Sequence, residues 1–177
     1  MVHDAPDDIS WISEPRMLGL CGLPRSTRQS WERAGLNVGD AGGAYGEGAV
    51  LEIALLVIIR EHLGLDEIIG AWRDLTSSGV AAELINHARC LREQDRFDLV
   101  LEPEHAGIRV ARTNAELVAA VRHPGAPRPV VVVDIAERIR LVRESFRRLA
   151  THGSRPQVKR PGRPRSKVTP IREGISS

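Results

Sequence analysis

An α+β fold, mostly α-helical, is predicted for this chain of 177 residues by three observations. Apolar residues recur at three- and four-residue spacing through 50–59, 80–91 and 135–149, the period of a helix with one buried side. Three short runs, 97–101, 107–111 and 130–133, the last β-branched throughout, are instead apolar segments bounded by turn formers, as strands are. Beyond residue 150 the chain is basic and proline-rich and carries too few apolar side chains to build a core. The pattern divides the chain into an N-terminal unit over 10–76, a small α/β unit with a C-terminal amphipathic helix over 79–150, and a tail over 151–177 expected to be disordered.

The first helix opens at Ser13 as N-cap with Glu14 in its first turn, and carries Met17, Leu18 and Leu20. Gly22 supplies a tight turn. Pro24 at the first helical position starts the second helix, and Gly35 just past its end takes the left-handed conformation that closes it. Leu23, Thr27 and Trp31 follow one another at four-residue spacing on one side, while Arg25, Ser26, Gln29, Ser30 and Arg33 occupy the other. This arrangement reads as a helix-turn-helix, whose second helix fits the major groove of B-DNA. Arginine and glutamine there make bidentate contacts to guanine and adenine edges, and serine reaches phosphates. The candidate DNA contacts on this helix are Arg25, Ser26, Arg28, Gln29, Ser30 and Arg33. The alternative for the same residues is an ordinary surface helix with a solvated polar side.

The run Trp31-Glu32-Arg33-Ala34-Gly35-Leu36 resembles the end of the recognition helix in the winged helix-turn-helix of the MerR family. Downstream, Tyr45 precedes Val50, Ile53, Leu56 and Ile59, and then Leu63-Gly64-Leu65-Asp66-Glu67-Ile68-Ile69. This is similar to the tyrosine, apolar helix, glycine and short second helix that follow the wing in that family. The resemblance implies a winged helix-turn-helix over about 10–76, a wing over 37–44, double-stranded DNA as the partner, and Tyr45 as a further contact. Arg28 and Gln29 depart from the family pattern of an apolar residue followed by arginine, and Gly43 stands where an arginine is usual.

In the second unit an amphipathic helix over 79–94 carries Val80, Leu84, Ala88 and Leu91 on one side. Strands over 97–101 and 107–111 flank a turn holding Pro103 and Gly107. Thr113 or Asn114 caps a helix to about Arg122 that covers Leu117, Val118 and Val121. After the breaker at 123–127, the run 130–133 is β-branched throughout and reads as a fully buried strand. The final helix, over about 134–150, carries Ile135, Ile139, Val142, Phe146 and Leu149 as a heptad seam ringed by arginines 138, 140, 143, 147 and 148. Such a seam suits either a homodimer helix or packing on the chain's own small sheet.

Charge is distributed unevenly. Residues 138–172 hold twelve Arg or Lys and one acid, whereas the rest of the chain holds 13 basic and 22 acidic residues. Within the cationic end, Lys159-Arg160-Pro161-Gly162-Arg163-Pro164-Arg165 resembles an AT-hook, with Pro161 in place of the first arginine of the usual core. Gly162 permits close approach to a minor-groove floor, prolines keep the chain extended, and arginines suit the negative potential of a narrow groove. Lys159, Arg160, Gly162, Arg163, Arg165 and Lys167 are therefore candidate minor-groove or phosphate contacts.

Other functions find less in the sequence. The most apolar stretch, 49–59, is interrupted by Glu52 and falls far short of the roughly 20 residues a membrane span needs. The N-terminus, with Asp4, Asp7 and Asp8, is no signal peptide, so a cytoplasmic, nucleoid-associated protein with no membrane partner is expected. Two cysteines make no disulfide framework, and His87 with Cys90 is too small a set for a closed zinc site, so both read as core packing and no metal or cofactor is expected. No phosphate loop, triad or carboxylate pair points to an enzyme; Asp134, at a strand end, reads as a helix cap. The expected function is a DNA-binding transcriptional regulator. The alternative is an antitoxin-like protein that binds its operator and masks a partner toxin with its C-terminal half.

Overall fold

The computed structural model describes residues 10–36, 43–102, 107–122 and 130–151, in which seven helices and two small antiparallel sheets form an α+β fold. The first sheet pairs β1 (Trp11–Ser13) with β2 (Ala44–Gly46), Ile12 lying opposite Tyr45. Between them come α1 (Glu14–Cys21) and α2 (Arg25–Arg33). The chain continues through α3 (Glu47–Arg60), α4 (Leu65–Ser77) and α5 (Val80–Cys90). The second sheet, in the order β4-β3-β5, is built from β3 (Asp98–Glu102), β4 (Gly107–Ala111) and β5 (Val131–Asp134). Helix α6 (Asn114–Val121) separates β4 from β5, and α7 (Ala136–Leu149) ends the fold. No helix among the described residues is long and apolar enough to cross a membrane.

The core is centred on α3. Its sequence is apolar nearly all round, and nine of its fourteen residues are buried, more than one helix side can supply. Neighbours must therefore cover it from several directions, and α1, α4, α5, α7 and β2 do so. Glu47 in the first turn and Arg60 in the last complement the helix dipole. Gly48 lies against the guanidinium of Arg89 from α5, an exposed side chain that would swing aside for a Cβ. One apolar cluster runs from Ile12 through α3 to Phe97, Leu99 and Phe146, crossing the division that the sequence suggests near residue 78.

The seam of α7 is spent inside the chain. Ile135, Ile139, Val142 and Phe146 are buried, and the helix lies against α3, α1 and α5 rather than chiefly against the small sheet. Leu149, the last seam position, stays 40% exposed. The arginines around the seam act as staples. Arg143 donates to the carbonyls of Ala88, Arg89 and Leu91 at 2.6–3.2 Å, closing the C-terminus of α5, whose last carbonyls have no partner within the helix. Arg140 reaches the Arg92 carbonyl, and Arg138 makes a two-pronged pair with Glu61 at 2.6 and 2.8 Å. Arg16 of α1 in turn donates to the Leu149 carbonyl.

The second sheet corrects two expectations. The strand around 130–133 is not fully buried: β5 is an edge strand, Val132 is 43% exposed, and only Val131 and Val133 lean on the core. The fully buried strand is the central β3, and with it go two carboxylates, Asp98 and Glu102, paired with Arg96 and Arg109. Helix α6 is capped as expected, Thr113 Oγ1 accepting from the Glu116 N–H at 3.1 Å. Its apolar residues are nevertheless uncovered, Val118 at 47% and Val121 at 42% exposed, because α6 rests on the edge strand β4 and has cover from one direction only.

Two measurements check these contacts. Arg143→Met keeps the aliphatic stem but leaves the α5 carbonyls unpaired, and is expected to lower unfolding stability by about 1–3 kcal/mol in urea denaturation. Arg148→Met, which loses only a bond to Ser145 on its own helix, is expected to stay within about 0.5 kcal/mol of the parent. The hydrogen bond from Arg138 holds the Glu61 carboxyl below its ordinary range, so the stabilisation is present above about pH 4.3 and lost as pH falls through the depressed value. Glu61→Gln is thus expected to unfold at lower urea than the parent at neutral pH and to converge with it in acid.

Candidate nucleic-acid interface

Helix α2 is short, nine residues, and its placement depends on how its ends are made. Pro24 is the N-cap, with extended backbone, so helical geometry begins at Arg25, one residue later than the spacing predicts. Both α1 and α2 end on a left-handed glycine, Gly22 at φ 65° and Gly35 at φ 85°. In each case the glycine N–H returns to a carbonyl three residues back and the next N–H to one five residues back: Leu23 to Leu18 at 2.9 Å, Leu36 to Trp31 at 2.9 Å. Leu23 and Leu36, the residues after the two glycines, are both buried, so each helix end is locked by a hydrogen-bonded turn and an apolar contact together.

The inner side of α2 is held by Trp31, 1% exposed and part of the core, with Thr27 half-buried beside it. The outer side carries Arg25, Ser26, Gln29, Ser30 and Arg33, all exposed. Five polar side chains thus stand together on a helix whose position the core sets. A shallow cleft of about 240 Å³ runs from this side to the junction of α3 and α4, lined by Ser26, Thr27, Ser30, Trp31, Arg60 and Leu65. Arg60 is an addition to the sequence-derived set. In the sequence it is only the last residue of an apolar helix, and nothing local links it to residue 30; the link is made by packing.

Two expected contacts are corrected. Arg28 is 5% exposed and points inward, its guanidinium paired with Glu32 Oε1 at 3.0 Å one turn on. It occupies the position where the family resemblance has an apolar residue, and a carboxylate four residues later lets a charged side chain take that place. Tyr45 is 3% exposed, because the pleat of β2 turns it to the same buried side as Ile12 across the strand pair. Neither presents a side chain to a groove. Residues 37–42 of the expected wing, and all six tail candidates, Lys159, Arg160, Gly162, Arg163, Arg165 and Lys167, lie outside the described residues.

Other candidate chemistry resolves into structural roles. Cys21 is buried, its thiol donates to the Val50 carbonyl at 3.6 Å, and burial pushes its pKa up to about 12. Cys90 is exposed, which overturns the core role expected of it, while His87 is half-buried with its ring edge-on to Phe97 at 4.8 Å. Asp134 does cap α7: its Oδ1 accepts from the Ala136 N–H at 3.0 Å, from one residue before the N-cap position at Ile135. Among the described residues no group of three or more His, Cys, Asp or Glu is placed to hold a metal ion.

The seating of α2 is open to direct measurement. Trp31→Ala is expected to destabilise the protein by about 3–5 kcal/mol, as for other buried aromatic truncations. Gly35→Ala meets no atom within 4 Å, so its cost is confined to the left-handed backbone, about 1–2 kcal/mol. Urea denaturation of the two variants separates packing from backbone strain at the same helix end.

No protein-family model matches this chain, and no curated protein matches it.

Proposed function

We propose that this protein is a DNA-binding transcriptional regulator in which α1 and α2 form a helix-turn-helix and α2 is the recognition helix, in the manner of the MerR-like winged helix-turn-helix. The observation that carries the reading is the exposed row Arg25, Ser26, Gln29, Ser30 and Arg33 on a helix fixed by Trp31, by the glycine-closed end of α1 before it and by its own glycine-closed end. Arginine and glutamine supply donor pairs that match base edges, and the serines with Arg60 supply contacts of the kind made to phosphate. The basic tail adds minor-groove or phosphate binding, and its tethering to the helix module raises overall affinity through effective concentration. Because the α7 seam is buried within the chain, a homodimer reading two half-sites would use another surface.

The test is selection of a genomic fragment library by the full-length protein at two salt concentrations, with the retained DNA sequenced. A shared motif is expected. Arg25→Ala and Gln29→Ala are each expected to relax preference at a small number of base positions, by about 1–3 kcal/mol per lost bidentate contact. Deletion of 155–177 is expected instead to weaken binding to most sequences and to flatten the salt dependence. Retention of the same motif with the same preference by both α2 variants would overturn the assignment of α2 as the reading helix.

A further inference from the structure

Lined by none of the polar row of α2, an open pocket of about 330 Å³ lies between the end of α2, the middle of α3 and the outer side of α4. Leu36, Ile69 and the Trp72 ring give it apolar walls, and Glu52 of α3 gives it a charge. That charge is unusual for its setting. Glu52 is the one acid within an otherwise apolar helix interior, half-buried, and the Trp72 indole N–H donates to its Oε1 at 3.1 Å. Oε2 has no hydrogen-bond partner and the carboxylate no ion pair among the described residues; Arg73, on the same lining, does not neutralise it. Burial outweighs the indole bond and holds the carboxyl above the usual carboxylate range.

We propose that this pocket binds a small organic ammonium ion, the ammonium on Glu52 and an apolar body against Leu36, Ile69 and Trp72. A half-buried carboxylate with one fixed donor and one open oxygen matches an N⁺–H donor, and a charge-assisted hydrogen bond there is stronger than one between neutral groups. The Trp72 ring, with Leu36 and Ile69, offers apolar area for the body of the ligand. A bare metal ion does not suit the site, since calcium takes six to eight oxygen ligands and the lining offers one carboxylate. The proposal stands apart from the DNA-binding reading and uses none of the α2 polar row.

The probe is phenethylamine, compared with 2-phenylethanol, which has the same shape without the charge. Binding to the full-length protein is followed by the NMR shift of the Trp72 indole N–H, assigned through Trp72→Phe. Phenethylamine is expected to shift that resonance and to bind at least roughly tenfold tighter than the alcohol, the size of one charged hydrogen bond. In Glu52→Gln, which keeps an acceptor for the indole and removes the charge that burial disfavours, the difference between the two probes is expected to vanish. Equal binding of amine and alcohol by the parent, undiminished amine binding by Glu52→Gln, or no shift of the Trp72 resonance up to about 10 mM amine, a weak limit for a ligand of nine heavy atoms, overturns the proposal.

Discussion

Helix α3 has almost no side that can face water, and this constraint organises the molecule. A helix apolar all round is stable only when other elements enclose it. The chain meets that demand from both directions of the sequence: α1 and β2 come from before or beside it, α4 and α5 follow it, and α7 returns from more than seventy residues away. The same enclosure sets the position of α2, because Trp31 and Leu36 belong to the cluster that surrounds α3. A reading surface on α2 is thus an outward consequence of a core built elsewhere.

The second organising element is the arginine set of α7. Long guanidinium side chains reach helix ends that apolar packing cannot satisfy, and Arg143 alone answers three carbonyls at the end of α5. Arg138 ties the turn after α3 to α7 through Glu61. Positive charge that looks, along the sequence, like a continuation of the basic tail is in α7 largely engaged in holding the fold together. Arg25 and Arg33 of α2, by contrast, stand exposed on its outer side.

Much of this was legible in the sequence, and the readable parts share a cause. Helix ends at Gly22, Gly35, Thr113 and Asp134 announce themselves because backbone hydrogen bonding and left-handed geometry restrict the residue types that fit. The polar row of α2 follows from helical period alone. What could not be read depends on tertiary neighbours. Arg28 is charged and yet interior because Glu32 pairs with it, and Tyr45 is interior because of the strand register with Ile12. The run 130–133 has the composition of a buried strand, but burial is decided by strand order, and β3 took the centre. The heptad of α7 fits a partner helix of any origin; that the partner is α3 of the same chain is not encoded in the seam. Arg60 and Glu52 join their sites only when α3 meets α2 and α4.

The last described residue sits beside the first strand. Trp11 and Thr151 exchange backbone hydrogen bonds at 3.1 and 2.8 Å, so the folded body begins and ends at one point. In topological terms the described chain is nearly a closed ring. A short linker between its two ends would create a circular permutant without stretching any element, and the permissible new openings are the surface connections far from that bridge. The same closeness means that the segments before Ser10 and after Thr151 are joined to the body at one spot.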